Sequence, residues 1–225
     1  LFRSYLYGLP YVLYQRHAIR RYGFHGTSHR YVAWRIHKIE NIPYDEVNAI
    51  TAHLGNGCSM AAIRDGRSVD TTMGFTPLEG LLMGTRTGDL DPAIILHIMG
   101  KEEIGPYEAN TLLNKHSGLL GISGVSNDVR EILAATEAGN ERARWALEIF
   151  CYRVQKYIGA YMTSIGPKMD AIAFTGGIGE NAVKVREMIV RELEVFGIKL
   201  DPKRNEEMVK GKEGLISTDD SRFKV

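Results

Sequence analysis

The sequence predicts an α/β domain built on a mixed sheet with helices on both faces. Three observations carry this. Asn48 to Thr72 reads as three short strands in succession, the last two joined by Asp65-Gly66. A long helical stretch follows, dominated by apolar residues at spacings of three and four. Asp170 to Asn181 then reads as strand, glycine turn and helix start. An antiparallel unit that precedes helices and a returning strand is buried best as a sheet covered on both sides.

Taken in order, residues 5–16 form a helical pattern that Pro10 must start or kink. Arg20 to Gly26 reads as a short strand and turn, and Ser28 to Lys38 as a helix capped by Thr27 or Ser28. Asn48 to Leu54 is a strand closed by the turn Gly55-Asn56-Gly57. Ser59 to Arg64 and Ser68 to Thr72 pair through the Asp-Gly hairpin signal. Gly74 to Asp89 is a loop. Asp91 caps the next helix, Pro92 takes its first position and Gly100 stops it. Glu108 to Lys115 is a short helix, and Asn127 caps another that runs through Ala138. Ala143, Leu147, Phe150, Val154, Ile158, Tyr161 and Ile165 mark a core helix ended by Gly166-Pro167. After Asp170 to Thr175 a helix runs to Phe196, and Leu200 and Leu215 to Ser217 read as further short strands.

Composition narrows the function classes. The 225 residues are 44% hydrophobic and 24% charged, and 28 Lys+Arg nearly cancel 27 Asp+Glu. No basic run marks a nucleic-acid surface, and no apolar stretch is long enough to span a bilayer. Cys58 and Cys151 lack metal-ligand spacing, so a reducing cytoplasm is expected. The chain opens on Leu1, not Met, and Val225 ends a strand-like run, so it is expected to be part of a longer protein.

Four glycine-punctuated polar segments carry the chemistry. They are Phe24-His25-Gly26-Thr27-Ser28-His29, His53 to Gly57, Met83 to Asp89, and Gly176 to Asn181. Each sets glycine beside groups that hold oxyanions. In His53-Leu54-Gly55-Asn56-Gly57, glycines free to adopt positive φ would let successive N–H groups converge on one oxygen, with Asn56 adding a donor. The competing reading is a plain hairpin turn. In Gly176-Gly177-Ile178-Gly179-Glu180, unpaired N–H groups at a helix start would face an anion. Gly177, Gly179 and Ala182 also fit the dinucleotide fingerprint G-x-G-x-x-A, with Asp201 near the spacing of a ribose-binding acid, so a nicotinamide or flavin enzyme is open at this segment. Arg86 sits among small and hydroxyl residues and could grip a phosphoryl group, or it could pair with Asp89 or Asp91. His25 and His29 have i, i+4 spacing but no third partner for a metal, so no metal site is assigned.

Five segments together resemble the acetate kinase family. They are Tyr22 to His29, His53 to Gly57, Met83 to Pro92, Ser126 to Arg130 and Phe174 to Asn181, and their order and spacing fit across essentially the whole chain. A dehydrogenase leaves four of the five unexplained. The resemblance implies a ribonuclease-H-like domain of the actin, sugar-kinase and heat-shock-chaperone ATPase superfamily. It implies that residues 1–225 are the second, carboxy-terminal domain of a two-domain kinase. The implied reaction is Mg-ATP-dependent phosphorylation of acetate to acetyl phosphate and its reverse. Propionate or butyrate is an alternative acceptor, and a nucleotide-gated interaction module without catalysis is an alternative of another class. Carried over, His25 and Arg86 stabilise the phosphoryl in flight and Phe24 lines the acyl side. His53, Leu54, Gly55, Asn56 and Gly57 contact nucleotide phosphates. Asp128, Val129 and Arg130, with Gly176, Gly177, Ile178, Gly179 and Glu180, hold the adenosine end of ATP or ADP. The resemblance places the metal-linked glutamate, the phosphate-loop lysine and a catalytic aspartate outside this chain, and it implies a homodimer. Cys58 stands where the family more usually has Ser.

Overall fold

The computed structural model describes residues 2–225. Strands β1 (Ala49–Leu54), β2 (Cys58–Arg64), β3 (Arg67–Thr71) and β4 (Ala171–Thr175) form one sheet in the order β3-β2-β1-β4. β1 pairs antiparallel with β2, β2 antiparallel with β3, and β4 parallel with β1. The predicted mixed sheet is therefore found. Asp65 and Gly66 both adopt positive φ (51° and 68°), as a two-residue hairpin that follows strand twist requires.

Alternation along the strands sorts two faces. Ile50, Ala52 and Leu54 of β1, Cys58, Met60 and Ala62 of β2, and Ile172 of β4 enter the larger core. The helix α8 (Glu141–Ile165) lies on this face, and all seven residues of its predicted stripe are buried. Asn140 caps it through the Ala143 N–H. The opposite face carries Ala49, Ala61, Ile63 and Ala171, packed by Ala33 and Ile36 of helix α3 (Gly26–Glu40). Helices thus cover both faces.

Several predicted boundaries move, each for a local reason. The helix expected over 5–16 divides into α1 (Phe2–Tyr5) and α2 (Tyr11–His17), because Pro10 is extended (φ −51°, ψ 125°). The strand expected at Arg20 to Gly26 does not form. The Arg21 guanidinium instead donates to the carbonyls of Ser4, Thr71 and Thr72, occupying acceptors with a side chain instead of a ladder. Neither Thr27 nor Ser28 caps α3; its N-cap is His25, at φ 60°.

Helix α4 (Pro92–Lys101) has the predicted Asp91 cap but runs through Gly100. Helix α5 (Pro106–Lys115) starts before Glu108, whose carboxylate accepts from the Gly105 N–H. The helix α6 (Gly118–Ser123) has no counterpart in the sequence reading. Helix α7 (Val129–Glu137) is capped by Asp128, not Asn127.

The helix expected from the glycine turn to Phe196 is broken. It comprises α9 (Gly176–Asn181), α10 (Val183–Arg191) and a single 3-10 turn at Glu194–Phe196, with the break at Ala182 (ψ 80°). The last expected strands reduce to one bridge between Leu200 and Ser217, with α11 (Pro202–Glu207) between them.

Candidate active site

The polar residues of the α3-facing layer gather at one end of it. Toward one end, Ala33 and Ile36 of α3 meet the apolar residues of the sheet. Toward the other, α3 supplies Ser28 and His29, with His25 as its cap, and the strands supply Thr51, His53 and Ser59. Both sets follow from period: i, i+4, i+7 for His29, Ala33 and Ile36, and period two for Thr51 and His53. Antiparallel register sets His53 opposite Ser59.

Hydrogen bonds link these groups closely. His25 Nδ1 lies 2.8 Å from Ser59 Oγ, and His29 Nε2 lies 2.7 Å from the same oxygen. His29 Nδ1 is 2.7 Å from Thr51 Oγ1, and Ser28 Oγ is 2.8 Å from His53 Nδ1. The rings of His25 and His53 stack with centroids 4.2 Å apart. Burial pushes His29 down to about 4, with His25 and His53 adding to the effect. Burial also lowers His25, helped by the charges of His53 and Arg86, and lowers His53 against the opposing pull of Glu180. All three therefore favour the neutral imidazole. Both nitrogens of His29 are occupied by hydroxyls, which closes it to a metal.

Arg86 reaches this cluster from the loop after β3. A Cβ built on Gly57 would stand 3.4 Å from Arg86 Nη1 and 3.8 Å from His25 Nε2, so the guanidinium and the imidazole flank Gly57. Among the described residues Arg86 makes no ion pair. Its Nη1 donates weakly to the Pro77 carbonyl at 3.4 Å and sits 3.9 Å from Met83 Sδ. The expected alternative partners are committed elsewhere. Asp89 accepts from the Gly80 N–H and the Tyr157 hydroxyl, and Asp91 caps α4. A guanidinium without a carboxylate beside a neutral histidine is able to pair with an incoming anion.

Close backbone approach brings the remaining segments to the same loop. A Cβ on Gly84 would stand 1.9 Å from Asn56 Oδ1, and the Gly84 N–H donates to the Asn56 carbonyl. A Cβ on Gly176 would stand 2.7 Å from the Leu54 carbonyl oxygen. Asn127 Nδ2 donates to Asn56 Oδ1, tying the turn before α7 to the same place. Segments 53–57, 83–86, 126–130 and 176–180 therefore adjoin, as expected.

Some expectations need correction in detail. Neither Gly55 nor Gly57 has positive φ; at Gly57 a Cβ would instead fill the gap between His25 and Arg86. The Gly176 N–H is taken by Glu180 Oε1, which also accepts from the Thr175 hydroxyl, so the first of the α9 donors is not free for an anion. Val129 points into the core, leaving only its backbone for a ligand. Asp128 caps α7 and pairs with the exposed Arg130 at 2.5 Å. Asp201 caps α11 and lies 3.6 Å from Arg204, which removes the ribose-binding acid of the dinucleotide reading. Phe24 is 37% exposed beside His25. Cys58 is fully buried with its thiol pushed up to about 12, and its Sγ donates to the Gly55 carbonyl at 3.0 Å.

Sequence reasoning missed Thr51, Ser59 and Arg186. The first two carried a signal: hydroxyls on strands otherwise built to be buried. Arg186 is 1% exposed and gives none.

Comparison with known proteins places the chain. The sequence model of the Acetokinase family matches residues 2–225. The chain belongs to the acetokinase family. It is 57% identical over 223 residues to an acetate kinase of Halothermothrix orenii and 54% identical over 224 to one of Thermotoga maritima. Each match takes in 99% of this chain and 55% of the relative, so the chain spans about half the length of these relatives. The crystal structure of Porphyromonas gingivalis acetate kinase superposes with a TM-score of 0.95 at 47% identity, covering 100% of this chain and 56% of that one. A propionate kinase from Francisella tularensis superposes at 0.92 with 43% identity, covering 99% and 56%. The α/β fold is thus that of the acetokinases. Among the described residues no helix is long and apolar enough to cross a membrane.

Proposed function

We propose that this chain is the nucleotide-binding second domain of a two-domain kinase that transfers the terminal phosphoryl of ATP to acetate, and back from acetyl phosphate to ADP. The observation that carries the reading is the pair of side chains flanking Gly57, the Arg86 guanidinium and the His25 imidazole, in a chain of this family. A carboxylate acceptor needs no base. Transfer to it depends on positioning and on neutralising charge on the equatorial oxygens. A guanidinium and a neutral imidazole N–H, held before the substrate arrives, supply that without reorganisation.

In this reading the 53–57 turn meets the phosphates, and segments 128–130 and 176–180 meet the adenosine end. Phe24 lies on the acyl side. A magnesium ion, when bound, would neutralise charge between the phosphates. Among the described residues no group of three or more His, Cys, Asp or Glu is placed to hold it. Its protein ligands are proposed to lie outside this chain, as the family resemblance implies, and so is the first domain. The chain alone would then show negligible kinase activity, the whole protein would act as a homodimer in the cytoplasm, and neither nucleic acid nor membrane would be a partner.

Hydroxamate formation by the full-length protein, with acetate, propionate and butyrate compared, tests the reading. Acetyl hydroxamate formed fastest is the expected result. Preference for propionate would favour the second reading, to which the propionate kinase likeness points. No product with any acid would overturn both.

A further inference from the structure

The hydrogen-bond chain behind His25 has a direction that the buried hydroxyl at its far end decides. Thr51 is fully buried on β1, and its hydroxyl contacts one side chain, His29 Nδ1 at 2.7 Å. Were that hydroxyl to accept from an Nδ1–H, its own hydrogen would be buried with no acceptor, at a cost of about 1–3 kcal/mol. It therefore donates, and His29 Nδ1 is the acceptor. His29, 5% exposed, is neutral and must carry its single hydrogen on Nε2. That N–H donates to Ser59 Oγ at 2.7 Å. Ser59, also fully buried, has one hydrogen left to give, and its other partner is His25 Nδ1 at 2.8 Å. A neutral His25 whose Nδ1 accepts must carry its hydrogen on Nε2, the nitrogen that flanks Gly57 across from Arg86.

We propose that Thr51, His29 and Ser59 form a one-way hydrogen-bond relay that fixes His25 as the Nε2–H tautomer, so that it faces its ligand as a donor. The three are positioning residues; of the four, only His25 would touch substrate. The reverse order would leave a bare Nε2 lone pair aimed at an anion, and the Thr51 hydrogen unpaired. The inference rests on the phosphoryl-transfer reading for its purpose but not for its direction, and the two can fail separately.

Long-range proton–nitrogen NMR on the uniformly 15N-labelled protein reads the direction without any activity. The expected spectrum shows pyridine-type Nδ1 and pyrrole-type Nε2 for both His25 and His29. A pyrrole-type Nδ1 on either residue overturns the relay. Thr51→Val keeps shape and removes the hydroxyl, whereas Thr51→Ser restores it. In the full-length kinase Thr51→Val should lower kcat about threefold to tenfold, the kinetic equivalent of one neutral hydrogen bond, with the KM for ATP unchanged and Thr51→Ser near parental. Thr51→Val should also broaden or mix the His29 and His25 signals. If instead it only lowers the melting temperature, with both tautomers and kcat intact, the chain is structural and the relay is refuted. Should Thr51→Val not fold, the unsubstituted spectrum and Ser59→Ala decide by the same signals. An inactive parent with the expected tautomers would sink the kinase reading and leave the relay standing.

Discussion

Replacing Arg186 should unfasten the glycine segment from the carboxy-terminal part of the chain. This guanidinium is 1% exposed and has no carboxylate partner among the described residues. All five of its N–H donors are used on five neutral oxygens. Nε reaches Asn205 Oδ1 at 2.6 Å, and Nη1 reaches the carbonyls of Gly179 and Glu180 at 2.9 and 2.8 Å. Nη2 reaches the carbonyls of Asn205 and Met208 at 2.6 and 3.0 Å. Burial lowers its pKa, yet the group stays charged because a guanidinium is so basic. Lys offers three donors at most, so Arg186→Lys leaves at least two acceptors unpaired, at about 1–3 kcal/mol each. In a domain of this size each kcal/mol lowers Tm by about 2–4 °C, so the loss should be roughly 5–20 °C. Arg186→Met, which keeps bulk and satisfies none of the five, should fall further. Two of the five carbonyls belong to the segment proposed to hold the nucleotide. Calorimetry should therefore show weaker ADP binding by Arg186→Lys even at temperatures where it is fully folded. A melting scan of Arg186→Met within a degree or two of the parent would refute the reasoning.

Three further outcomes are expected. In the full-length protein Arg86→Ala should lower kcat by about a hundredfold to a thousandfold while leaving ATP binding nearly intact, and Arg86→Lys should recover little; an intact kcat would mean that Arg86 does not meet the transferring group. Denaturant titrations should show stability falling as pH drops from 6.5 toward 4. In that window unfolded His29 takes up a proton that the folded chain excludes, worth roughly 3 kcal/mol in all, and His25 and His53 add in the same direction. A flat profile there would contradict the buried neutral histidine. Calorimetry of this chain should detect ADP and not NAD; binding of NAD alone would restore the dehydrogenase reading that the Asp201 cap argues against.

The elements with a strong repeating pattern were legible in the sequence. The α8 stripe, the Asp65-Gly66 hairpin and the Asp91-Pro92 helix start depend on residues adjacent in the chain, and local chemistry alone favours them. So were the glycine segments as places of close backbone approach, and with them the family. What local chemistry could not supply was the partner across space. Ser28 looks like a helix cap, but its hydroxyl is taken by His53, 25 residues on. Arg86 beside Asp89 and Asp91 looks like an ion pair, until packing gives Asp89 to Tyr157 and Asp91 to its own helix. Ser59 and Thr51 look like ordinary strand hydroxyls, and they acquire direction only where β1, β2 and α3 close around His29. Arg186 has no pattern at all; five oxygens from four residues define it. A hydrogen bond costs nothing to exchange for water on an open chain. Only burial makes each donor and acceptor find a specific partner, and burial belongs to the folded molecule.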